Sequence, residues 1–488
     1  MPSDPRLRHL FDPEGVIVVG VSSHPAKFGF TALHNVLAHG FTGRVFATNR
    51  DGGEILGLTT ATGIDALPSG AADLAVICTP AAANPDILRA CAAKGVKAAY
   101  VVSGGYRETG AEGRAAEEEL VALADKLDIV LAGPNGQGLV STPAGLCAQI
   151  VGPWPVAGAI SVASQSGNTV SSFMNYANQS GVGIARAVSA GNAAAVTLTD
   201  YLGFFGDDPA TRVAFAYLEH SADGRATFEG MRAVTAAKPV VLVKGGTTVA
   251  GQRAAASHTG ALAGEQRIFS GAMRQAGVCL AATVEEAFDA AATFATQPLP
   301  AGPNTVVVTT AGGWGVMTAD ALTGSSLRLI PLPDDLRAAV DTRLPPRWSR
   351  ANPIDMAGGE SRDTVPEVLQ LVASHPAVDA VIFLGLGIQS NTARMLREGP
   401  FHPDHGLERV VAFHERQDRR FAEAAAEASA ATNKPVLVAT ELGVTDPANP
   451  GPAAVRDSGR YCYPSANRAV TALEHLWRYA RHRQRRSG

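Results

Sequence analysis

Cysteine is scarce in this chain, and the spacing of the few cysteines excludes two classes of protein. The 488 residues contain five cysteines, and no two of them form a CxxC pair: Cys78, Cys91, Cys147, Cys279 and Cys462. Disulfide-stabilised secreted domains and structural zinc sites both need closely spaced sets of cysteines. We therefore expect neither, and the cysteine pattern predicts a reducing compartment, the cytoplasm.

Long apolar runs and a strong excess of one charge are also absent. No run approaches the roughly 20 apolar residues that span a bilayer, and the opening MPSDPRLRHLFDPEG has no apolar stretch of signal-peptide length. The formal net charge is -4, whereas binding to nucleic acid normally needs a basic patch. We expect neither membrane nor nucleic acid as a partner.

The chain is instead an alternation of short β-branched runs with alanine-rich segments of helical composition. This alternation predicts parallel sheets of βαβ units, whose strands are buried on both faces. Proline- and glycine-containing stretches at 151–158 and 297–304 interrupt the alternation. The sequence therefore predicts an α/β protein of three domains: a Rossmann-like domain over 1–150 and flavodoxin-like domains over 151–300 and 301–488.

The first predicted domain has polar or glycine-bearing loops after its strands, where ligands of open parallel sheets bind. The GxGxxG fingerprint of NAD-binding domains and its acidic residue are missing, because the first loop reads GVSSHPAKFG and the second strand ends in Asn49-Arg50. A cation at that strand end suits a phosphorylated ribose. The residues therefore favour NADP or coenzyme A as the ligand.

The second and third domains open alike, with a strand, a loop of small residues and then a helix. The two loops are SQSG, with Ser164, Gln165, Ser166 and Gly167, and AGGWG, with Gly312 and Gly313. A helix N-terminus offers unpaired N–H groups and about half a positive charge to an anion. Both loops are therefore predicted phosphate-binding sites, and together they form an internal repeat.

A histidine and a carboxylate complete the candidate chemistry. His258 lies among small residues in AAASHTGALAG, and Glu219 ends the apolar run VAFAYLE. Taken singly, each is more often a solvated side chain than a catalytic one. Together with two anion sites they favour phosphoryl transfer, because a neutral imidazole is a nucleophile and a carboxylate on its other nitrogen fixes the tautomer.

At these residues the chain resembles a known family, the ADP-forming acyl-CoA synthetases, which are relatives of succinyl-CoA synthetase. The resemblance runs in order along nearly the whole chain through FDPEGVIVVGVSSHPAKFG, EILGL, SGGYRETG, GPN, SQSG, SAGN, YLE, KGGTTVAGQRAAASHTGALAG, AGG-G and NPID. It implies that His258 is a transient phosphohistidine, that Glu219 is its partner, and that both small-residue loops face the phosphate.

The resemblance also implies that the first domain binds coenzyme A. The expected contacts are Gly20, Ser22, Lys27, Asn49, Arg50, Thr79, Pro80, Ser103 and Asn135. Three departures from the family pattern bear on the adenosine-phosphate contact and on the acyl or phosphate pocket. Asn49-Arg50-Asp51 stands where Asn-Pro-Lys is common, Gly136-Gln137 stands where cysteine and leucine follow GPN, and Trp314 replaces a proline.

A nucleotide-binding domain is not expected within these three domains. Single-chain members of the family add an ATP-grasp domain, and no Walker A sequence occurs here. The resemblance therefore implies an acid–thiol ligase, acid + CoA + ATP giving acyl-CoA + ADP + phosphate, in a hetero-oligomer whose ATP-grasp partner subunit binds ATP or ADP and Mg²⁺. Two alternatives stay open: a specificity like that of succinyl-CoA synthetase, and a non-catalytic CoA or acyl-CoA sensor that regulates a partner enzyme.

Two other groups of residues receive structural interpretations. His402 and His405 lack an evident third ligand, so no metal site is predicted in this chain. The acidic run Glu117-Glu118-Glu119 is interpreted as a solvated helix face.

Overall fold

The computed structural model of the chain describes residues 4–251, 253, 266–356, 358 and 363–487. The described residues form α-helices packed against three sheets made largely of parallel strands. They belong to two compact units, the first comprising Met1–Gln179 and Gly183–Ala287 and the second Ser180–Val182 and Phe288–Gly488. Among the described residues, none of the helices combines the length and apolar character needed to cross a membrane.

The first sheet contains five parallel strands in the order β2-β1-β5-β6-β7, with a hairpin of β3 and β4 beside it. Its elements in chain order are α1 (Arg8–Phe11), β1 (Gly15–Val19), α2 (Phe28–Ala38), β2 (Arg44–Thr48), β3 (Gly53–Ile55), β4 (Leu58–Thr60), β5 (Leu74–Ile77), α3 (Asn84–Ala93), β6 (Ala98–Val101), α4 (Ala111–Lys126) and β7 (Val130–Ala132). Every residue of β1, β5, β6 and β7 is buried, as the continuous apolar runs predict.

The second sheet has seven strands in the order β14-β13-β12-β10-β11-β8-β9. Its elements in chain order are β8 (Gly138–Ser141), β9 (Leu146–Gln149), β10 (Ala157–Ser164), α5 (Gly167–Ser180), β11 (Ile184–Ser189), α6 (Leu198–Asp207), β12 (Val213–Leu218), α7 (Gly224–Ala237), β13 (Val240–Lys244), α8 (Gln266–Gln275) and β14 (Cys279–Ala281). The β8–β9 hairpin pairs antiparallel with β11, so residues 138–149, which precede the predicted boundary, extend the second sheet. The domain limits at 150 and 300 stay predictions.

Helix starts in the first unit follow from local hydrogen bonds. Thr197 precedes α6 and forms a capping box with Asp200, and Asp223 precedes α7 and accepts hydrogen bonds from the N–H groups of Arg225 and Ala226. Such caps satisfy the amide groups that have no partner within the helix. They fix where these helices begin relative to the strand ends that carry the candidate site.

A buried arginine joins the first and second sheets. The side chain of Arg186 on β11 is 5% exposed and donates to both carboxylate oxygens of Asp12, at 2.6 and 2.9 Å. It also contacts Asp208 at 3.3 Å and the carbonyl of Phe11 at 3.1 Å. The ring of Phe11 stacks on Phe204 at 5.2 Å, so one apolar core continues from the first sheet to the second.

The second unit contains the third sheet, with parallel strands in the order β16-β15-β18-β19-β20 and β17 paired with β15. Its elements in chain order are α9 (Val284–Thr296), which begins in the first unit, β15 (Asn304–Thr309), α10 (Gly312–Thr323), β16 (Arg328–Leu329), α11 (Asp334–Asp341), β17 (Ile354–Asp355), α12 (Thr364–Ser374), β18 (Ala380–Leu384), α13 (Ile388–Glu398), α14 (Leu407–Thr432), β19 (Val436–Ala439), α15 (Leu442–Thr445), α16 (Pro450–Asp457), β20 (Cys462–Tyr463) and α17 (Ala466–Ser487).

The main strands of each sheet follow the doubly wound order 2-1-3-4-5 when they are numbered within the sheet. In this order the chain reverses direction after the second strand, and ligands bind beside the carboxyl ends of the strands at that switch point. The predicted α/β fold, with a Rossmann-like domain followed by two flavodoxin-like ones, is confirmed as a set of doubly wound parallel sheets, and the strand order is the flavodoxin-like one in all three.

Candidate functional site

The turn between β10 and α5 is closed by a serine hydroxyl. Ser164 is buried, and its Oγ accepts from the N–H of Ser166 at 3.0 Å and donates to the carbonyl of Ser166 at 2.6 Å. Helix α5 then begins at Gly167. Because this hydroxyl satisfies the turn, the N-terminus of α5 opens at the carboxyl edge of the sheet, where its amides can face an anion.

The side chain of Gln165 ties this turn to the end of β12. Its Oε1 accepts from the N–H groups of Glu219 at 2.7 Å and His220 at 3.0 Å. Its Nε2 donates to the carbonyl of His220 at 2.9 Å. The side-chain amide of Gln165 thus pairs with the backbone N–H and C=O groups at the end of β12, as the backbone of a neighbouring strand would. It sets the position of Glu219 relative to the start of α5.

Glu219 is enclosed by the ends of β12 and β13. It is 8% exposed, and burial together with the adjacent Glu219 carboxylate raises the pKa of Tyr217 to about 12. The ammonium of Lys244 donates to the carbonyl of Glu219 at 2.7 Å, while burial lowers the pKa of Lys244. A Cβ at Gly245 would lie 2.7 Å from Tyr217 Oη, so a larger residue at this position would displace the Tyr217 hydroxyl.

His258 lies outside the described residues, which stop at 253 and resume at 266. The chain leaves the described region shortly after β13, the strand that neighbours Glu219 in the sheet. The pairing of His258 with Glu219 therefore stays a prediction.

Loops of the first and second sheets open onto one cavity of about 330 Å³ within the first unit. It is lined by residues after β6, β7, β10, β11 and β12, among them Gly104, Asn135, Gln137, Gln165, Ser166, Gly167, Asn168, Asn192 and His220. The predicted coenzyme A contact Asn135 and the predicted phosphate loop thus face the same space.

Gln137, one of the departures from the family pattern, packs beside the start of α5. A Cβ at Gly167 would lie 2.2 Å from Gln137 Cδ, and Gln137 Nε2 is 3.4 Å from Asn168 Oδ1. A larger residue at Gly167 would therefore have to displace the Gln137 side chain from the start of α5.

Several of the expected coenzyme A contacts meet at the carboxyl edge of the first sheet. Gly20 adopts a φ of 80°, and a Cβ there would lie 2.7 Å from Thr79 Cγ2. Asn84 joins two of these contacts, since it accepts from Thr79 Oγ1 at 2.9 Å and donates to Ser103 Oγ at 3.1 Å. Asn49 donates to the carbonyl of Val21 at 2.6 Å.

The other expected contacts lie at the rim of this edge. Lys27 and Pro80 are exposed, and Ser22 Oγ accepts from the N–H of His24 at 3.1 Å. The side chain of Arg50 is 94% exposed, with its Nε 3.7 Å from Asp51. The cation expected to meet a phosphorylated ribose therefore lies beside a carboxylate at the surface.

The loop before α10 repeats the turn of SQSG. Thr309 Oγ1 accepts from the N–H of Ala311 and donates to its carbonyl, both at 2.9 Å. A Cβ at Gly312 would lie only 2.4 Å from Asp355 Oδ2. A carboxylate of the NPID motif therefore lies at the start of α10, beside Gly312, a contact that the motif alone does not predict.

The interpretation of Glu117 as a solvated residue is wrong. Glu117 is 1% exposed and forms an ion pair with Arg107, and its other oxygen accepts from Asn192 Nδ2 at 2.7 Å. A tertiary contact with the loop after β11 buries it, although its neighbours Glu118 and Glu119 are exposed as expected. Elsewhere in the described residues, no group of three or more His, Cys, Asp or Glu side chains could hold a metal ion.

Three family models match successive parts of the chain. They are a CoA binding domain at residues 14–142, a succinyl-CoA ligase like flavodoxin domain at 157–294 and a Ligase-CoA domain at 305–395. Their order is that of the three sheets.

Similar proteins match over nearly the whole chain. The alpha subunit of acetate–CoA ligase [ADP-forming] I from Pyrococcus furiosus is 32% identical over 97% of this chain and 98% of its own length. Acetate–CoA ligase [ADP-forming] I of Archaeoglobus fulgidus is 35% identical over 80% of this chain and 56% of its own length. The apo form of the dinucleotide-forming acetyl-coenzyme A synthetase 1 of Ca. Korarchaeum cryptofilum superposes with a TM-score of 0.84 at 30% identity, covering 98% of both chains.

Proposed function

Because this chain belongs to the ADP-forming acetate–CoA ligase family, we propose that it is the coenzyme A-binding, phosphohistidine-carrying alpha subunit of an ADP-forming acyl-CoA synthetase. The observation that carries the proposal is the shared cavity of the first unit. Loops of the CoA binding domain and the N-terminus of α5 open onto it together. A thioester bound by the first set of loops would thus meet a phosphate held at the second.

In the direction that consumes acyl-CoA, the proposed reaction has two steps on this chain: transfer of the acyl group to phosphate, and transfer of the phosphoryl group to His258. A phosphate oxygen attacks the thioester carbonyl carbon, the C–S bond breaks, and coenzyme A leaves as the thiolate. A ring nitrogen of His258 then attacks the phosphorus of the acyl phosphate, and the P–O bond to the departing carboxylate breaks. Glu219 would accept the hydrogen bond of the other ring N–H and stabilise the cation that forms.

The N-terminus of α5 would supply the electrostatic part of this chemistry. Its free amides and about half a positive charge stabilise a dianionic phosphate without any reorganisation during the reaction. Gly312 and Gly313 are proposed to contribute a second helix N-terminus. There the Asp355 carboxylate lies against Gly312, so an incoming phosphoryl group would have to displace it or approach from another side.

The nucleotide half of the reaction is assigned to a partner subunit. The similar Pyrococcus furiosus protein is itself an alpha subunit of nearly equal length, and the Archaeoglobus fulgidus enzyme is much longer than the part that this chain matches. We infer an ATP-grasp partner that binds ATP or ADP and Mg²⁺, in a hetero-oligomer. Use of ATP and coenzyme A supports the cytoplasmic location expected from the sequence.

The proposal is tested by reconstitution. The chain and its ATP-grasp partner are mixed with coenzyme A, ATP, Mg²⁺ and a panel of short, branched, aryl and dicarboxylic acids. We expect acyl-CoA, ADP and phosphate in equal amounts with at least one monocarboxylic acid. Formation of AMP and pyrophosphate would contradict the proposal, and coenzyme A binding without turnover of any acid would favour the sensor alternative.

Replacing Gln165 with methionine should lower kcat about 10- to 100-fold, because displacing a catalytic group by about 1 Å has costs of that order. The variant loses all three hydrogen bonds that position the backbone of Glu219 and His220. Steady-state rates at saturating substrate measure the effect.

The exposed residue Gln179 at the other end of α5 offers a matched control, since Gln179→Met leaves the site untouched. An unchanged kcat in Gln165→Met, with the same melting temperature as Gln179→Met, would show that Gln165 does not position Glu219 for the reaction.

A further inference from the structure

A buried carboxylate holds two side chains on the wall of the cavity. One oxygen of Glu117, on α4, accepts from the guanidinium of Arg107, and the other accepts from Asn192 Nδ2 at 2.7 Å. Arg107 and Asn192 both line the cavity, whereas Glu117 does not. A buried carboxylate with both oxygens satisfied has a single arrangement of its partners, so Glu117 fixes their positions.

The orientation of the Asn192 amide follows from its two acidic neighbours. Asn192 Nδ2 also donates to Glu108 Oε2 at 2.7 Å, and Glu108 Oε1 accepts from the N–H groups of Gly105 at 2.6 Å and Tyr106 at 3.1 Å. Although burial opposes it, these hydrogen bonds lower the pKa of Glu108. Ionised carboxylates only accept hydrogen bonds, so the Asn192 nitrogen must face them and its oxygen must face away.

The Asn192 amide in turn fixes the orientation of the Asn135 amide. Its Nδ2 donates to Asn192 Oδ1 at 3.3 Å, so its own Oδ1 is directed away from Asn192. That oxygen accepts no hydrogen bond from the described residues and lies near Gly104, 3.1 Å from where a Cβ would be. Asn135 and Gly104 both line the cavity, so this part of the wall presents an acceptor.

Two carboxylates stand behind this part of the wall. Glu108 and Glu117 both accept from Asn192, and Glu117 also pairs with Arg107; neither carboxylate lines the cavity, whereas Arg107 does. An Asn135 oxygen directed into the cavity attracts hydrogen-bond donors. Anions are favoured instead at the N-terminus of α5, which lines another part of the same cavity.

We propose that Glu108 and Glu117 are positioning residues that act through Asn192 to make Asn135 an acceptor for a donor group of coenzyme A, an amide N–H or the thiol of its pantetheine arm. The inference rests on the proposed function and adds to it the residues that set the polarity of the coenzyme A contact. It also places the thiol-bearing arm at the Asn135 wall and the phosphate at α5.

The test reverses the direction in which the Asn135 amide faces the cavity, and it uses glutamines that have the same shape as the glutamates they replace. In Glu108→Gln/Glu117→Gln, each glutamine keeps its oxygen on its existing donors and turns its amide nitrogen toward Asn192. Asn192 then turns its oxygen toward them, and Asn135 must turn its oxygen toward Asn192 and its Nδ2 into the cavity. Calorimetric titration of the chain with coenzyme A should show a Kd raised about tenfold, the size expected for losing one hydrogen bond.

A second variant shows whether the two glutamine substitutions act through the amide of Asn135. Asn135 has a φ of 60°, so Asn135→Gly removes its side chain without backbone strain, and we expect a Kd raised about 3- to 10-fold. In the Asn135→Gly background, the two glutamine substitutions should change the Kd by less than about twofold, because no amide remains to be turned. Glu118→Gln/Glu119→Gln removes two exposed charges from the same helix and is the control for charge alone.

Three results would overturn the proposal, and a fourth would contradict only the proposed function. Equal weakening by the glutamine pair in both backgrounds, or no weakening in either, would overturn it, because a structural role would be independent of Asn135. An absence of coenzyme A binding by the unsubstituted chain would also overturn it. Failure of the reconstituted enzyme to turn over any acid, with coenzyme A binding and the cycle as expected, would contradict the proposed function alone.

Discussion

Replacing His258 with alanine should abolish labelling of the chain by phosphate and reduce turnover with the ATP-grasp partner by on the order of a thousandfold or more, since the loss of a covalent nucleophile has effects of this size. The measurement uses the chain alone with labelled phosphate and an acyl-CoA. Phosphohistidine is expected as a label that survives base and is lost in acid. Coenzyme A affinity should not change, because the expected coenzyme A contacts are all residues of the CoA binding domain at 14–142.

Two further variants complete this experiment. Glu219→Gln should reduce labelling while keeping the shape of the site, since a glutamine cannot stabilise the imidazolium as a carboxylate does. His405→Ala, which removes a histidine to which no chemistry is assigned, should label normally. Retention of base-stable label in His258→Ala would show that another residue carries the phosphoryl group, and would contradict the assignment.

Replacing Arg186 with methionine should lower the free energy of unfolding of the first unit by about 3–5 kcal/mol, the usual effect of removing one partner from a buried ion pair. The Asp208 side chain is 4% exposed, so its charge would be left in the core. Asp12 is 44% exposed and can be solvated instead. Of the four tryptophans in the chain, Trp154 alone belongs to the first unit, so its fluorescence in a Trp314→Phe/Trp348→Phe/Trp477→Phe background reports on that unit.

The double variant Arg186→Met/Asp208→Leu separates the buried charge from the lost contacts. It should recover most of the stability, because an apolar pair of similar volume can replace a buried ion pair. Arg114→Met, at an exposed position of α4, is the control. Equal destabilisation of the single and double variants would contradict an electrostatic origin.

Acid should remove the contribution of this network. Burial raises the pKa of Asp208, but the hydrogen bonds from Arg186 and Thr211 outweigh it and lower the pKa. A carboxyl whose folded pKa is lowered contributes stability above its unfolded pKa of about 3.9, and the contribution disappears as pH falls through the folded value. The free energy of unfolding of the unsubstituted chain should therefore lose this contribution below about pH 4, as measured by unfolding of the chain over a range of pH.

Local sequence was a good guide to the strands and to the two turns before α5 and α10. The apolar runs that end at Val19, Ile77 and Val101 are buried strands, because a strand covered on both faces needs apolar residues throughout. The hydroxyls of Ser164 and Thr309 close equivalent turns, and both act on a residue only two positions away. Hydrogen bonds between residues so close in the chain can be predicted from the sequence alone.

The same sequence could not indicate which polar residues would meet across the fold. The local sequence does not distinguish Glu117 from its neighbours Glu118 and Glu119. Glu117 is nevertheless buried, because it contacts Asn192, a residue that follows a strand of another sheet. Likewise the side-chain amide of Gln165, a predicted phosphate contact, holds the backbone of Glu219 and His220, and the SQSG motif alone does not indicate this second role. These contacts join residues far apart in the chain, and no local pattern records them.

By itself, then, the sequence determined the order of βαβ units, the small-residue loops at strand ends and the family to which the chain belongs, because each depends on residues close together in the chain. Only the tertiary structure decided that the β8–β9 hairpin extends the second sheet, that Asp355 lies at the start of α10 and that the amide of Asn192 donates to the carboxylates of both Glu108 and Glu117. The physical reason is that burial and the direction of a hydrogen bond depend on which distant segments pack together.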